Sequence, residues 1–301
     1  MSVNVTKTKQ ECIVEFDINQ PPDIFFDTNV WRGMNDDDKI FMDEVQQKMG
    51  FRYRYTVTNF LELVSHLADE SSKKNLNPFN NFKACFRKIV ELCHAEVLPS
   101  PEMDFMEEAG LSHYIAPSWI PDINLMINKV EAIANANSIE DLSQLIDVSH
   151  YTKLRQTDGE SLRTAINNFP QISKPATSDD LEKALRWFMY IASFFLIERP
   201  SNGRIKYQDL AEKEKVSFQT SFISGTGRLF FNHCMTRIRL TIRDGKKVDP
   251  NDLYDMLQLI LLRNRNRIFV TSDKSYFLYK INDPETHKVI SWKQFRNARS
   301  E

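Results

Sequence analysis

Glycine is scarce in this chain, eight residues among 301. A loop that cradles phosphate needs glycines where backbone N–H groups close on the anion, so the shortage counts against a nucleotide-binding fold of that kind. The one compact pair, Gly225-Thr226-Gly227, lacks the Gly-Lys-Ser/Thr that completes a P-loop and reads as a plain turn. Cysteine is sparse too. Cys12, Cys85, Cys93 and Cys234 form no CxxC pair, and with no secretory leader they read as reduced thiols of a cytoplasmic protein. The spacing of Cys85, Cys93 and His94 suits a buried helix face better than a zinc site. Long apolar runs are missing: the longest, 187–197, is interrupted by Ser193 and is too short to cross a bilayer, so no membrane partner is expected. A net charge of −2 supplies no global field for nucleic acid, and any polyanion site must be a local basic patch.

The 42% apolar content is enough for a sizeable core in one large domain or two ordinary ones. Asp23 to Trp31, DIFFDTNVW, stands out. Three apolar residues run into Asp27, then into the small polar Thr28 and Asn29. An acid just past a fully apolar strand lies where open parallel sheets bind ligands, although an Asp there also serves as a helix cap or turn residue. The first residues, with Ile13, Val14, Phe16 and Ile18 alternating, read as an arm or edge strand. Asp36, Asp37 and Asp38 open a helix, whose N-terminus favours negative charge. A β-rich Arg52 to Val57 precedes a helix carrying Glu62 and His66, the latter read as a solvated helix histidine. A third helix runs from Phe82 to His94, and AEVLP reads as a short strand. From about Phe105 to Arg243 the pattern is helical only, including a capping box at Ser138 and Asp141, and is taken as an insertion or lid. Asp249-Pro250 opens a further helix with Asp252, Asp255 and Gln258 as its polar stripe. The strand Ile268 to Val270 then releases Thr271, Ser272 and Asp273, and His287 to Trp292 makes a last short strand. The expected organisation is therefore an α/β domain from 1–104 and 244–301, split by a helical block at 105–243.

Asp27 and Asp273 follow two strands, while Glu62 and Asp255 ride on helices that begin at the same end. If the strands are parallel neighbours, four carboxylates converge, and such a cluster persists when a cation neutralises it. All-oxygen ligation points to Mg²⁺ or Mn²⁺, with Asp252 as a further ligand or a helix-dipole residue, and phosphodiester hydrolysis fits.

With DTNVW at Asp27, TVTNFLELVSH at Glu62, AEVLP, and DLYDMLQLILLRNRNRIFVTSD at Asp255 and Asp273, the chain resembles the PIN-domain nucleases. The resemblance implies a three-layer α/β/α sandwich with a mostly parallel sheet of about five strands. It implies a Mg²⁺- or Mn²⁺-dependent endoribonuclease, toxin-like or RNA-processing, acting on single-stranded or structured RNA, with DNA an open alternative. Thr28, Asn29, Thr271 and Ser272 resemble the small polar positions that support the carboxylates. A protein inhibitor or a second copy of the chain is a conceivable partner. An aspartyl-phosphate phosphatase would need a second Asp where this chain has Asn29. Arg263, Arg265 and Arg267 fall at the far edge of the sheet, so Arg237, Arg239, Arg243, Lys246 and Lys247 are the phosphate-contact candidates. Trp31 is a candidate for base stacking or core packing. The alternative function is a silent PIN fold that binds partners through its helical block.

Overall fold

The computed structural model describes residues 3–8, 11–72, 76–94, 96–120, 122–167, 177–244, 256–263, 265–277 and 281–300. The chain forms two compact units, one of Met1–Pro99, Asp122–Gln156 and Asn264–Glu301, the other of Ser100–Pro121 and Thr157–Arg263.

The first unit is built on a five-stranded, all-parallel sheet flanked by helices. Its central strand β3, Asp23–Phe26, contributes Ile24, Phe25 and Phe26, each 0% exposed. A strand buried on both faces is what an unbroken apolar run encodes in a parallel sheet. β4 (Arg52–Thr56) and β6 (Arg267–Thr271) pair with β3, and β5 (Val97–Leu98) and β7 (Val289–Ser291) complete the order β5-β4-β3-β6-β7. Asp23 is in register with both Arg52 and Arg267, and its carboxylate meets Arg52 Nε at 3.0 Å and Arg54 Nε at 3.3 Å. Ion pairs thus tie the strand starts together. Phe26 lies in register with Val270, so Asp27 and Thr271 emerge side by side at the carboxyl ends.

Between strands, local chemistry sets the helices. α1 (Thr28–Gly33) follows β3 directly, and α2 (Asp36–Met49) opens with a reciprocal cap. Asn35 Oδ1 accepts from the Asp38 N–H at 2.9 Å, and Asp38 accepts from the Asn35 N–H at 3.0 Å. The acidic run is therefore a helix start. Gly50 ends α2 at φ 70°, a left-handed conformation that glycine adopts without strain. α3 (Val57–Ser65) follows β4, and α4 (Pro78–Cys93) buries Phe82, Cys85, Phe86, Ile89 and Cys93. α6 (Ile123–Asn135) packs on α4, where Lys83 Nζ donates to the Ala136 carbonyl at 2.8 Å and Arg87 Nε to that of Ala134 at 2.9 Å. These cations close the carbonyl end of α6. They explain why 122–156 clusters with the sheet, whereas the sequence reading places all of 105–243 in the helical block.

Three further differences from the sequence reading concern local structure. The N-terminal segment is a hairpin, β1 (Asn4–Lys7) and β2 (Cys12–Glu15), and β8 (Ala298–Ser300) pairs parallel to β2. β2 is thus the middle of a separate three-stranded sheet rather than an edge. Asp141 accepts from the Asn137 and Ser138 N–H groups, holding a single 3₁₀ turn at Glu140–Leu142, and the long helix α7 starts only at Val148 and runs to Asn167. Residues 245–255, with the expected helix start at Asp249-Pro250, lie outside the described residues, and Gln258–Leu262 is a 3₁₀ helix, buried throughout.

The second unit is helical in its described residues: α5 (Pro101–Glu108), α8 (Ser178–Ser193), α9 (Glu212–Ile223) and α10 (Arg228–Asp244). Phe105, Phe188, Phe218, Phe222 and Phe230 form its aromatic core. A Cβ at Gly225 would lie 2.5 Å from Glu108 Oε2, and one at Gly227 would lie 2.8 Å from Phe105 and Phe222. Both glycines are there for close approach, in a turn where Glu108 accepts from the Thr226 N–H and hydroxyl. Among the described residues no helix is long and apolar enough to cross a membrane.

Candidate carboxylate site

Asp27 continues the ladder of β3, its N–H donating to the Val270 carbonyl at 2.9 Å. It occupies the N-cap position of α1. The Thr271 hydroxyl donates to Asp27 Oδ2 at 2.7 Å, and Asn29 in the first turn of α1 also hydrogen-bonds the carboxylate. Asp27 is 2% exposed, and burial pushes its carboxyl above the usual carboxylate range. The Thr271 hydroxyl and the Asn29 amides oppose that rise, and the negative charge of Asp273 adds to it.

Glu62 arrives from the other side of β3. Thr56 and Asn59 form a reciprocal box at the start of α3, and the buried Asn59 Nδ2 donates to Thr28 Oγ1 at 3.0 Å. That bond ties the start of α3 to the start of α1. The Thr28 hydroxyl in turn favours the charged form of Glu62. Burial dominates and raises the Glu62 carboxyl, with the Asp27 charge adding to the rise and Arg32 and Arg155 working against it.

Asp273 lies two residues beyond β6. Its N–H donates to Thr271 Oγ1 at 2.9 Å, and its carboxylate accepts from the Ser275 N–H at 2.8 Å and from the Ser275 hydroxyl. Thr271 therefore bridges two acids, donating to one and accepting from the backbone of the other. Asp273 also holds the turn Lys274–Phe277. Ser272 and Asn29 are exposed.

Three of the four expected acids thus share one electrostatic neighbourhood centred on Asp27. Asp252, Asp255, Lys246 and Lys247 lie outside the described residues. Arg237, Arg239 and Arg243 fall on α10, in the second unit. Trp31 is fully buried against Phe26 and is a core residue, not a stacking platform. His66 is not a solvated residue either: it sits at the C-cap of α3, its ring stacked on Phe82 and its Nδ1 on Asp69.

Sequence reasoning overlooked Arg32 and Arg155. Arg32 had a readable signal, since it is three residues from Asn29 on the helix that starts at Asp27 and so shares its face. Arg155 had none, because only the packing of the described structure brings it to His66.

The donors gathered here are oxygens, a set suited to a hard divalent cation. The buried Asp27 and the half-buried Glu62 lie within electrostatic reach of each other, neither in an ion pair among the described residues, and leave a negative excess that such a cation would neutralise. Among the described residues, no group of three or more His, Cys, Asp or Glu is gathered closely enough to hold a metal ion. No protein-family model, curated protein or solved structure matches the chain.

Proposed function

We propose that this protein is a PIN-type nuclease that hydrolyses phosphodiester bonds with Mg²⁺ or Mn²⁺, acting as an endoribonuclease on single-stranded or structured RNA in the cytoplasm. The observation that carries the reading is Asp27: a buried carboxylate at the carboxyl end of the central parallel strand, held by the Thr271 hydroxyl and within electrostatic reach of Glu62. A sheet between helical layers with an acid at this point is what the PIN resemblance implies. Asp27 and Glu62 would hold the cation, with Asp273 and Asp255 completing the set. When bound, the cation supplies charge neutralisation and Lewis-acid activation of the phosphodiester. The chain's own groups prepare for it: Thr271 fixes the Asp27 carboxylate, Asn59 fixes Thr28, and Thr28 steadies Glu62 in its charged form. A labelled single-stranded RNA incubated with Mn²⁺ should be cut by the parent and at least about a hundredfold more slowly by Asp27→Asn, because loss of a ligand removes both affinity and charge. Equal rates would remove Asp27 from the site.

A second reading keeps the fold as a binding module. It is favoured by the lack of a three-member acidic group among the described residues. Calorimetry separates the two, since a silent module takes up no Mn²⁺.

A further inference from the structure

Beside Glu62, four planar groups from different elements lie against one another. The Arg32 guanidinium, in the last turn of α1, sits 5.3 Å from the centroid of the Phe82 ring on α4. The His66 ring stacks on the same Phe82 with centroids 4.9 Å apart and planes 10° from parallel. Arg155 of α7 brings Nη1 to 2.7 Å from His66 Nε2 and pairs through Nη2 with Asp69 at 3.2 Å. Within this group Asp69 balances Arg155. Arg32 is left over: it is exposed and has no ion-pair partner among the described residues, although it lies close enough to lower the Glu62 carboxyl. A guanidinium held on an aromatic face keeps its N–H fork free for an external anion and loses less side-chain freedom on binding it.

A nucleic-acid strand approaching two carboxylates is repelled unless a cation meets its phosphates. We propose that Arg32, seated on Phe82 and backed by His66 and Arg155, binds a backbone phosphate of the strand beside the Asp27 and Glu62 pair. This deepens the nuclease reading and rests on it for the identity of the strand.

The test measures binding of a labelled single-stranded RNA to the full chain in EDTA across a salt series, with the matching DNA as a second arm. For Arg32→Gln the expected result is about a five- to tenfold weaker Kd. Losing one phosphate contact should also make the slope of log K against log salt shallower by about 0.7. Arg32→Lys should keep the slope, and Lys48→Gln, exposed at the end of α2 that leads to the start of β4, should match the parent. RNA and DNA should lose equally, because phosphate is common to both; a loss confined to RNA would overturn the phosphate assignment. In Mn²⁺, Arg32→Gln should raise KM with kcat within about twofold, the pattern of lost uniform binding. An unchanged Kd and slope in a parent that still cleaves RNA overturns the role of Arg32 and leaves the nuclease reading standing. Weakened binding in a parent that never cleaves supports the phosphate site and overturns the nuclease. A parent that binds no strand overturns both.

Discussion

Asp27 lies buried just past the central strand, with Glu62 within its electrostatic reach. Burial holds Asp27 and Glu62 above the usual range, so the folded chain takes up these protons more readily than the unfolded one. The stability linked to a raised pKa is complete below the unfolded value and is lost as pH rises through the folded one. At pH 7, without metal, the two acids therefore weaken the fold. Asp27→Asn, which cannot ionise, should be more stable than the parent at pH 7 in EDTA. The advantage should shrink as pH falls toward about 4, where the parent is itself protonated. Paired thermal melts at pH 7 and pH 5 check it; a parent that is the more stable at pH 7 would contradict the electrostatic account. Packing decides the place of Trp31. An aromatic four residues past an acid can face solvent or core, and only the contact with Phe26 settles which.

At the scale of elements, the junction of α1 and α3 positions the site. Asn59 closes the box with Thr56 and reaches across to Thr28, both buried. Asn59→Ala removes a cap partner and leaves the Thr28 hydroxyl without its buried donor. It should cost about 2 kcal/mol in urea unfolding, the sum of a cap and one buried hydrogen bond. A loss below about 0.5 kcal/mol would show that the two helices are held by packing alone. Much of this level was legible: DIFF reads as a buried strand, and the β-rich Arg52 to Val57 followed by a helix matches β4 and α3, with the N-cap at Thr56. The 3₁₀ turn held by Asp141 was not, because a short acceptor three residues on satisfies a helix start and an isolated turn alike. The pairing of β8 with β2 was equally hidden, since three residues with a single small apolar side chain, Ala298, carry no alternation.

Across the whole molecule, the chain passes between two compact units, and the sheet unit is assembled from three separated segments. All four cysteines are free and buried within them. Burial raises the Cys12 and Cys85 thiols to about 11, and that of Cys93 higher still. Protonated, buried thiols are poor nucleophiles. The native protein should therefore react with an aromatic disulfide reagent at none of its cysteines over minutes, and denaturant should release four equivalents. Rapid titration of even one thiol in the native state would show local opening of the helix or strand that carries it.

The sequence by itself determined the parallel α/β architecture and the emergence of Asp27 at its rim, because apolar runs ending in small polar residues encode buried strands locally. It likewise determined that the acidic run at Asp36 to Asp38 begins a helix. Only the tertiary structure decided that the Asp27 carboxylate turns to Thr271, that Asn59 locks Thr28, and that Arg32, Phe82, His66 and Arg155 meet beside Glu62. Those contacts join residues distant in the chain. Their geometry follows from strand register and helix packing, which no local pattern of side chains specifies.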